Sequence, residues 1–360
     1  MTTALDLTSP AHVVGGLAAA QDLFLQRGWG DGLPVIPPTP ELVARFVDAS
    51  GLAPHEVLGN IPEQGRDITV EKVAVNAVAA GCREEYMSVL LATVRALTGP
   101  EFNLHTTTIS GATAPLVILS GPVVEQINVN TSFSVFGPGH QPNATIGRAI
   151  RLLLQNVCGG IPGVLDKATF GHPGKFSYCI GESRRDNPWE PLHAARGVPA
   201  NESAVTVFAG EGPINARNDW SSEPGPVLAT IADAMLPSHF TGGCFVVVVG
   251  PLHARVLARA GLSRSDVQQE LFARAVRSEA DLKRAGRLKG DPDRGDDTRM
   301  RRAVDRPEDV LVTVAGGDLY GYSAVIPYWV GGHESVPVTE PLDPPLPESC
   351  RRLDPDGATP

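Results

Sequence analysis

A histidine and a lysine share one tight turn of the chain, in the segment Gly171-His172-Pro173-Gly174-Lys175. Histidine titrates near neutral pH and is the side chain that most often transfers protons in enzymes. Lysine stabilises a developing oxyanion or, when desolvated, acts as a base or a Schiff-base nucleophile. We therefore predict that His172 and Lys175 are catalytic, with a polar turn of no chemical role as the alternative.

The segment "FGPGHQPNATIGRA" combines a glycine-rich loop with the start of a predicted helix. Glycines let the backbone approach a ligand closely, and free amides at a helix start attract a carboxylate or a phosphate. The asparagine can cap this helix, and the arginine can add a charge-assisted hydrogen bond. The residues predicted to bind an anionic substrate are Gly137, Gly139, Asn143 and Arg148. His140 is a second candidate for proton transfer, and a capped structural helix is the alternative.

Two side chains nearer the N-terminus could also take part in chemistry. Asp31 stands between two glycines in "GWGDGLP", where a tight backbone can present its carboxylate to a pocket. Cys82 precedes a predicted helix start and has Arg83 beside it, and both features lower the pKa of a thiol. We predict that Asp31 rims the site and that Cys82 is a reactive thiol. A buried cysteine at a helix joint is the alternative for Cys82.

The nine histidines form no HExxH or HxH pair, so the spacing indicates no local metal motif. Ligands for a divalent metal could still converge from distant loops. The set predicted on that basis is His105, His140 and His172. The sequence also contains no GxSxG nucleophile elbow and no phosphate-binding P-loop, which disfavours an α/β-hydrolase or a nucleotide kinase.

Four short apolar runs, each ending in glycine, are typical of strands buried on both faces: "APLVILSGP", "AVTVFAGEGP", "CFVVVVGP" and "VLVTVAGG". Helical patterns separate them, so we predict an α/β fold with a mainly parallel sheet and flanking helices, preceded by a helical N-terminal region. Ligands bind at the carboxyl ends of the strands in such sheets. Glu211, Gly316 and Gly317, at these ends, are therefore predicted to contribute to the substrate site.

The patterns divide the chain into three parts. Residues 1–113 form the helical N-terminal region, with a helical hairpin that places Cys82 at its joint. Residues 114–335 form the α/β core. Residues 336–360 are a proline-rich tail that could be disordered or could lie along a neighbouring subunit, and we predict a homo-oligomer.

Composition limits the class of protein further. The formal net charge of −10 disfavours nucleic acid as a partner, because phosphate binding needs a clustered basic face. The five cysteines are widely spaced, which disfavours a disulfide framework and indicates a reducing compartment. There is no signal-peptide pattern, and the apolar runs are too short to span a bilayer. We expect a cytoplasmic protein without a membrane partner.

In "GWGDGLPVIPPT", "EKVAVNAVAAGCREEYMSVLLA" and "FGPGHQPNATIGRA" the chain resembles a bacterial family that is found with, or fused to, small (seleno)proteins carrying a U-G-S-C motif. Those small proteins resemble the selenoprotein B component of glycine and betaine reductases. The resemblance covers most of residues 20–335. This chain contains no Cys-Gly-Ser-Cys motif, so the resemblance implies that a reactive thiol or selenol would belong to a separate small partner protein.

These observations support three functional hypotheses. The first is an enzyme, a reductase or a lyase, that breaks or forms a carbon–heteroatom bond in a small anionic molecule, with a possible thiol or selenol partner subunit. The second is a metal-dependent hydrolase or lyase with histidine ligands from separate loops. The third is a non-catalytic scaffold subunit of a two-component enzyme.

Overall fold

The computed structural model describes residues 6–105, 113–329, 331 and 335–343. Helices dominate the N-terminal part and recur between the strands, as the sequence predicts for an α/β protein. The α-helices are α1 (Leu17–Arg27), α2 (Pro40–Ser50), α3 (Val70–Ala80), α4 (Met87–Thr98), α5 (Val123–Gln126), α6 (Gln141–Asn156), α7 (Leu192–Ala195), α8 (Pro224–Met235), α9 (Pro251–Arg259), α10 (Arg264–Arg274) and α11 (Glu279–Arg284).

Local sequence signals set the ends of the N-terminal helices. Gly28 ends α1 in the left-handed conformation, as expected for a residue without a Cβ. The Thr39 hydroxyl accepts a hydrogen bond from the Leu42 amide at the start of α2, where Pro40 is the first helical residue. Gly81 ends α3 in the same way as Gly28 ends α1. The predicted helical hairpin between α3 and α4 is confirmed.

The strands in the described part are β1 (Val57–Ile61), β2 (Arg66–Thr69), β3 (Ala114–Ser120), β4 (Cys179–Gly181), β5 (Ala204–Gly210), β6 (Ile214–Arg217), β7 (Phe245–Val249), β8 (Val276–Ser278), β9 (Met300–Arg302), β10 (Val310–Val314), β11 (Tyr322–Ile326) and β12 (Val338–Pro341). β1 pairs with β2 and β8 pairs with β9 in two small antiparallel sheets. The main sheets have the orders β12-β5-β3-β4 and β10-β7-β11-β6.

The prediction of a mainly parallel sheet is wrong. Among the described pairs of strands in the main sheets, β3 with β4 and β7 with β10 are parallel, and the others are antiparallel. The four apolar runs are strands, and all residues of β5, β7 and β10 are buried. A strand is buried on both faces because it lies inside the fold, whether its neighbours run parallel or antiparallel to it. The apolar pattern therefore could not distinguish a parallel sheet from an antiparallel one.

The strands of the two main sheets are connected in the same order. The last strand that follows each sheet in the chain pairs with the other sheet. In each sheet a strand connects through helices to a parallel neighbour, and an antiparallel strand then follows on the other side (β3, β4, β5 and β7, β10, β11). β6 follows β5 in the chain but pairs with β11. β12 follows β11 but pairs with β5, so part of the predicted tail belongs to the first sheet. The crossing segments meet where Gly210 pairs with Tyr328.

Two hydrophobic cores lie on opposite faces of the first sheet. Val117 and Leu119 of β3 pack with the N-terminal helices and α6. Leu116 and Ile118 pack in a second core with the other main sheet and helices α8 to α10. Successive side chains of a strand point to opposite faces, so β3 joins both cores. The N-terminal helices therefore pack on one face of the first main sheet and form a single hydrophobic core with it.

The contact between α6 and the segment before β4 requires a glycine at position 147. A Cβ on Gly147 would lie 2.5 Å from the Tyr178 amide nitrogen and in contact with the Ser177 hydroxyl. A side chain there would push α6 away from the segment that leads into the first sheet. Gly147 is thus required for close packing, although it lies inside a helix where alanine is intrinsically favoured.

We expect Gly147→Ala to lower the free energy of unfolding by about 1–3 kcal/mol, because overpacking forces backbone shifts. Gly225→Ala in α8 is the matched control, since nothing lies within 4 Å of its Cβ position. That control should be neutral or slightly stabilising. Urea denaturation followed by circular dichroism measures both, and equal stabilities for the two variants would contradict the assigned packing role.

Candidate functional site

A small cavity lies between α6, the one-turn 3-10 helix Pro173–Lys175 and the adjoining ends of β3 and β5. One side is polar, with Arg151, Asp166 and Lys175, and the other is apolar. The centre of a water-sized sphere can occupy about 30 Å³ of it, which is room for about two water molecules. The remaining lining residues are Phe102, Leu104, Thr113, Ala114, Pro115, Gly147, Ile150, Leu154, Gly174 and Ala209.

The polar side carries two cations and one carboxylate. Lys175 Nζ donates to Asp166 Oδ2 over 2.6 Å, and Arg151 Nη1 lies 3.7 Å from the same oxygen. The side chains of Lys175, Arg151 and Asp166 are 17%, 13% and 7% exposed, so the cluster is largely removed from water. Two positive charges and one negative charge leave a net charge of +1, which favours an anion in the cavity.

Arg151 is the least satisfied of these groups. Burial lowers the pKa of its guanidinium, and the charges of Asp166 and Asp31 only partly compensate. Arginine nevertheless stays protonated and keeps five N–H donors. Its distance of 3.7 Å from Asp166 is too long for a hydrogen bond, and no acceptor for it occurs elsewhere in the described ranges. A bound oxyanion would supply the missing acceptors.

Local structure holds Lys175 and Asp166 in place. The Asp166 carboxylate also accepts a hydrogen bond from the Ala168 amide, which fixes its orientation toward Lys175. His172 caps the turn that carries Lys175, because its Nδ1 accepts from the Gly174 amide over 3.1 Å.

His172 lies behind the cavity rather than on its wall. Its Nε2 faces the Gly210 carbonyl oxygen at 3.3 Å and must donate to it, while Nδ1 accepts from Gly174. Burial lowers the pKa of His172, so the neutral ring is favoured. Since both ring nitrogens are engaged by the backbone, His172 is suited to orient the Lys175 turn, and the predicted proton transfer has no free nitrogen in this arrangement.

Asp31 and Arg148, both predicted site residues, bind each other. Arg148 donates from Nε to Asp31 Oδ2 over 2.7 Å and from Nη2 to Asp31 Oδ1 over 2.9 Å. Arg148 Nη2 also donates to the Pro34 carbonyl over 2.8 Å. Burial raises the pKa of Asp31, but the hydrogen bonds and charge of Arg148 outweigh it and hold the pKa below its usual value. The pair fastens the segment around Asp31 to α6, and neither residue lines the cavity.

The predicted anion-binding loop does not reach the cavity either. Asn143 is not the helix cap, since α6 begins at Gln141 after His140. Its buried amide instead bridges the backbone of Asn130 and Cys179, which explains why it is unavailable as a cap. Gly139 and His140 are exposed, and the Gly137 amide donates to Ser134 in a local turn.

The carboxyl ends of β4 and β10 adjoin, since the Ser183 amide donates to the Val314 carbonyl, but β5 ends elsewhere. β5 runs antiparallel to β3, so Gly210 pairs with Ala114 at the start of β3, about 20 Å from the carboxyl end of that strand. Glu211 lies near His239, with 3.1 Å between Oε1 and Nε2. The Gly316 amide donates to Thr131, and Gly317 packs against Phe133. Glu211, Gly316 and Gly317 are therefore outside the cavity lining.

Cys82 lacks the features of a reactive thiol. Its Sγ donates to the Thr145 carbonyl over 3.3 Å. Burial raises the pKa of Cys82 to about 12, and the charge of Arg148 offsets this only in part. The prediction of a lowered thiol pKa is wrong, because α6 packs against the joint between α3 and α4 and shields the Cys82 sulfur from water. Burial also raises the thiol pKa of Cys158, Cys179 and Cys244, whereas Cys350 lies outside the described residues.

The predicted metal ligands are not brought together. His140 is exposed at the start of α6, and both nitrogens of His172 contact the backbone. His105 Nδ1 is buried without a hydrogen-bond partner. Within the described part of the chain, no three side chains of histidine, cysteine, aspartate or glutamate form a group that could hold a metal ion.

Of the residues predicted from sequence, Lys175 alone lines the cavity, and Arg151 and Asp166 were missed. Arg151 follows Arg148 by one helical turn, which is the signal that could have placed it near the same site. Asp166 stands in "GVLDKATF", which matches no motif.

Comparisons with models of known protein families and with curated proteins give no match for this chain. Among the described helices, none has both the length and the apolar character required to cross a membrane.

We expect Asp31→Asn to lower the free energy of unfolding at pH 7 by about 3 kcal/mol, because it leaves the buried Arg148 charge unpaired. The folded-state pKa of Asp31 lies below the unfolded value of 3.8. The stabilisation is therefore present above pH 3.8 and is lost as the pH falls through the folded-state pKa. Denaturation at several pH values should show the wild-type advantage shrinking in acid. The Asp31→Asn/Arg148→Gln double variant should cost less than the two single variants together, and strict additivity would contradict the pairing.

We expect the thiols of Cys82, Cys158, Cys179 and Cys244 to react with Ellman's reagent at pH 8 at least about 100-fold more slowly than free cysteine, because little thiolate forms at these raised pKa values. The experiment uses a Cys350→Ser variant, with denatured protein as the control in which all four thiols react. A fast-reacting thiol that disappears in Cys82→Ser would restore Cys82 as a candidate nucleophile.

Proposed function

We propose that the chain is an enzyme that binds a small anionic molecule at Arg151 and breaks or forms a carbon–heteroatom bond in it. One observation carries this proposal. A largely buried guanidinium, 13% exposed and without a hydrogen bond to the described residues, opens onto a small cavity beside the Lys175–Asp166 pair. An oxyanion in the cavity would accept charge-assisted hydrogen bonds from it.

The three charged side chains have different roles in this proposal. Arg151 binds the oxyanion of the substrate with its free N–H donors. Lys175 gives a proton to the departing heteroatom, or stabilises the negative charge that develops on it. Asp166 accepts a hydrogen bond from Lys175 Nζ over 2.6 Å and orients the ammonium group. The apolar wall limits water in the cavity, which strengthens these interactions.

The site itself favours a lytic over a reductive reaction. In a lytic step Asp166 would take a proton from the carbon next to the one that bears the heteroatom, Lys175 would give a proton to the departing heteroatom, and a C=C bond would form as the carbon–heteroatom bond breaks. A reductive step also needs electrons. Of the four described cysteines, Cys82 is half-buried and the others are buried, and all four thiols have raised pKa values. Reduction would therefore use the thiol or selenol of the small partner protein that the sequence resemblance implies.

The scaffold hypothesis has one specific observation in its favour. Ile161, Val164, Phe170 and Phe176 are large apolar residues on the segment around the cavity, and they are 41%, 66%, 96% and 53% exposed. Several exposed large apolar residues on one segment favour a protein–protein interface there. A partner bound there would cover the segment that carries Asp166 and Lys175, so this surface is compatible with both functions.

The enzyme proposal is tested with a panel of small carboxylates that carry a C–O or C–N bond next to the acid group. Nuclear magnetic resonance follows their conversion by wild type, Arg151→Gln and Lys175→Gln. We expect Arg151→Gln to weaken binding about tenfold or more, since charge-assisted hydrogen bonds are lost. Lys175→Gln should abolish turnover while ligand binding persists.

Arg45→Gln is the control for loss of an arginine, because the Arg45 side chain is 64% exposed and far along the chain from the cavity residues. It should leave binding and turnover unchanged. Circular dichroism confirms that each variant is folded. Turnover at the wild-type rate in folded Lys175→Gln would overturn the catalytic role of Lys175, and unchanged binding in Arg151→Gln would overturn the site.

A further inference from the structure

We propose that the ligand of this cavity is a short-chain monocarboxylate whose apolar tail lies along the apolar wall. The inference rests on the proposed function and narrows its substrate class. It follows from three properties of the cavity: its charge, the geometry of its free donors and the character of its remaining wall.

The charge of the cluster matches a single negative charge. The Lys175 ammonium is already neutralised by Asp166 at 2.6 Å, so Arg151 is the cation left to pair with a ligand. One carboxylate brings the buried cluster to neutrality. A dicarboxylate or a doubly charged phosphate would leave a second negative charge near Asp166, in a place that is largely removed from water.

The free donors of Arg151 match the shape of a carboxylate. A guanidinium presents its N–H groups in a planar fork, which binds the two oxygens of a carboxylate through parallel hydrogen bonds. Asp166 approaches Arg151 with one oxygen and at 3.7 Å, so it does not occupy the fork with a bidentate pair. A planar anion can therefore dock on Arg151 without displacing Lys175 from Asp166.

The wall away from the charges is apolar. Phe102, Leu104, Ile150 and Leu154 line it, and each of them is nine-tenths or more buried. A second charged group on the ligand would be desolvated against these side chains without a partner. Methylene and methyl groups would gain from burial there, by about fourfold in affinity for each methylene.

The size of the cavity limits the length of the tail. About 30 Å³ is open to the centre of a water-sized sphere, so the ligand replaces about two water molecules. Two water molecules occupy about 60 Å³, so this space suits a carboxylate with a tail of one or two carbons. It is too small for a nucleotide or a sugar phosphate, which need pockets of about 300 Å³ or more.

Isothermal titration of wild type with formate, acetate, propionate, butyrate, succinate and inorganic phosphate tests the inference. We expect affinity to rise about fourfold per added methylene until the tail fills the cavity. Succinate and phosphate should bind at least about tenfold more weakly than the monocarboxylate of the series that binds most tightly. Leu154→Ala, checked for folding by circular dichroism, should shift the preferred tail to a longer one, whereas Arg151→Gln should weaken the whole series.

The outcomes separate the two proposals. If phosphate or succinate binds as tightly as the best monocarboxylate and binding depends on Arg151, the monocarboxylate inference is wrong and the anion site stands. If affinity depends on Arg151 but not on tail length, the apolar wall does not contact the ligand and the inference is likewise wrong. If no anion binds, or if binding is the same in Arg151→Gln, both proposals fail. The ligand series in wild type distinguishes these outcomes even if Leu154→Ala does not fold.

Discussion

The close packing of α6 on the segment that precedes β4 is the constraint on which the candidate site depends. Gly147 allows the helix to contact the backbone at Ser177 and Tyr178, because a Cβ there would clash with the Tyr178 amide. This contact brings Arg151, one turn further along α6, to the turn that carries Lys175. A helix held farther out would separate the guanidinium from Asp166 and open the cavity to water.

The two arginines of α6 have different roles: Arg148 stabilises the fold, and Arg151 remains available to a ligand. Arg148 forms a bidentate ion pair with Asp31 and binds the N-terminal segment. Lys175 is paired with Asp166, whereas Arg151 has a distant ion pair and no hydrogen bond within the described residues. Partial burial lowers the pKa of the Arg151 guanidinium, and the charges of Asp166 and Asp31 compensate only in part. The donors of Arg151 therefore remain available to an anion in the cavity.

The antiparallel arrangement of β5 determines where the cavity forms. It brings Gly210 beside Ala114, so the end of one strand and the start of another adjoin the same space. The Gly210 carbonyl then holds His172, whose other nitrogen caps the Lys175 turn. The exchange of β6 and β12 between the two main sheets fixes β5 in the middle of the first sheet. The position of β5 in the sheet therefore determines how His172, and through it the Lys175 turn, is oriented.

Features that arise from local contacts could be predicted from the amino-acid sequence. The Thr39 cap, the glycine helix ends, the hairpin around Cys82 and the buried strands follow from residue type and periodicity, and Lys175 could be identified because it shares a turn with His172. Strand direction, the Asp31–Arg148 pair and the neighbourhood of Arg151 depend on the tertiary structure. Each of these features depends on contacts between residues that are far apart in the chain. Asp31 and Arg148, for example, are 117 positions apart. Local sequence patterns do not show which distant carboxylate will pair with a given arginine or lysine. That pairing determines which of the cations remains available to a ligand.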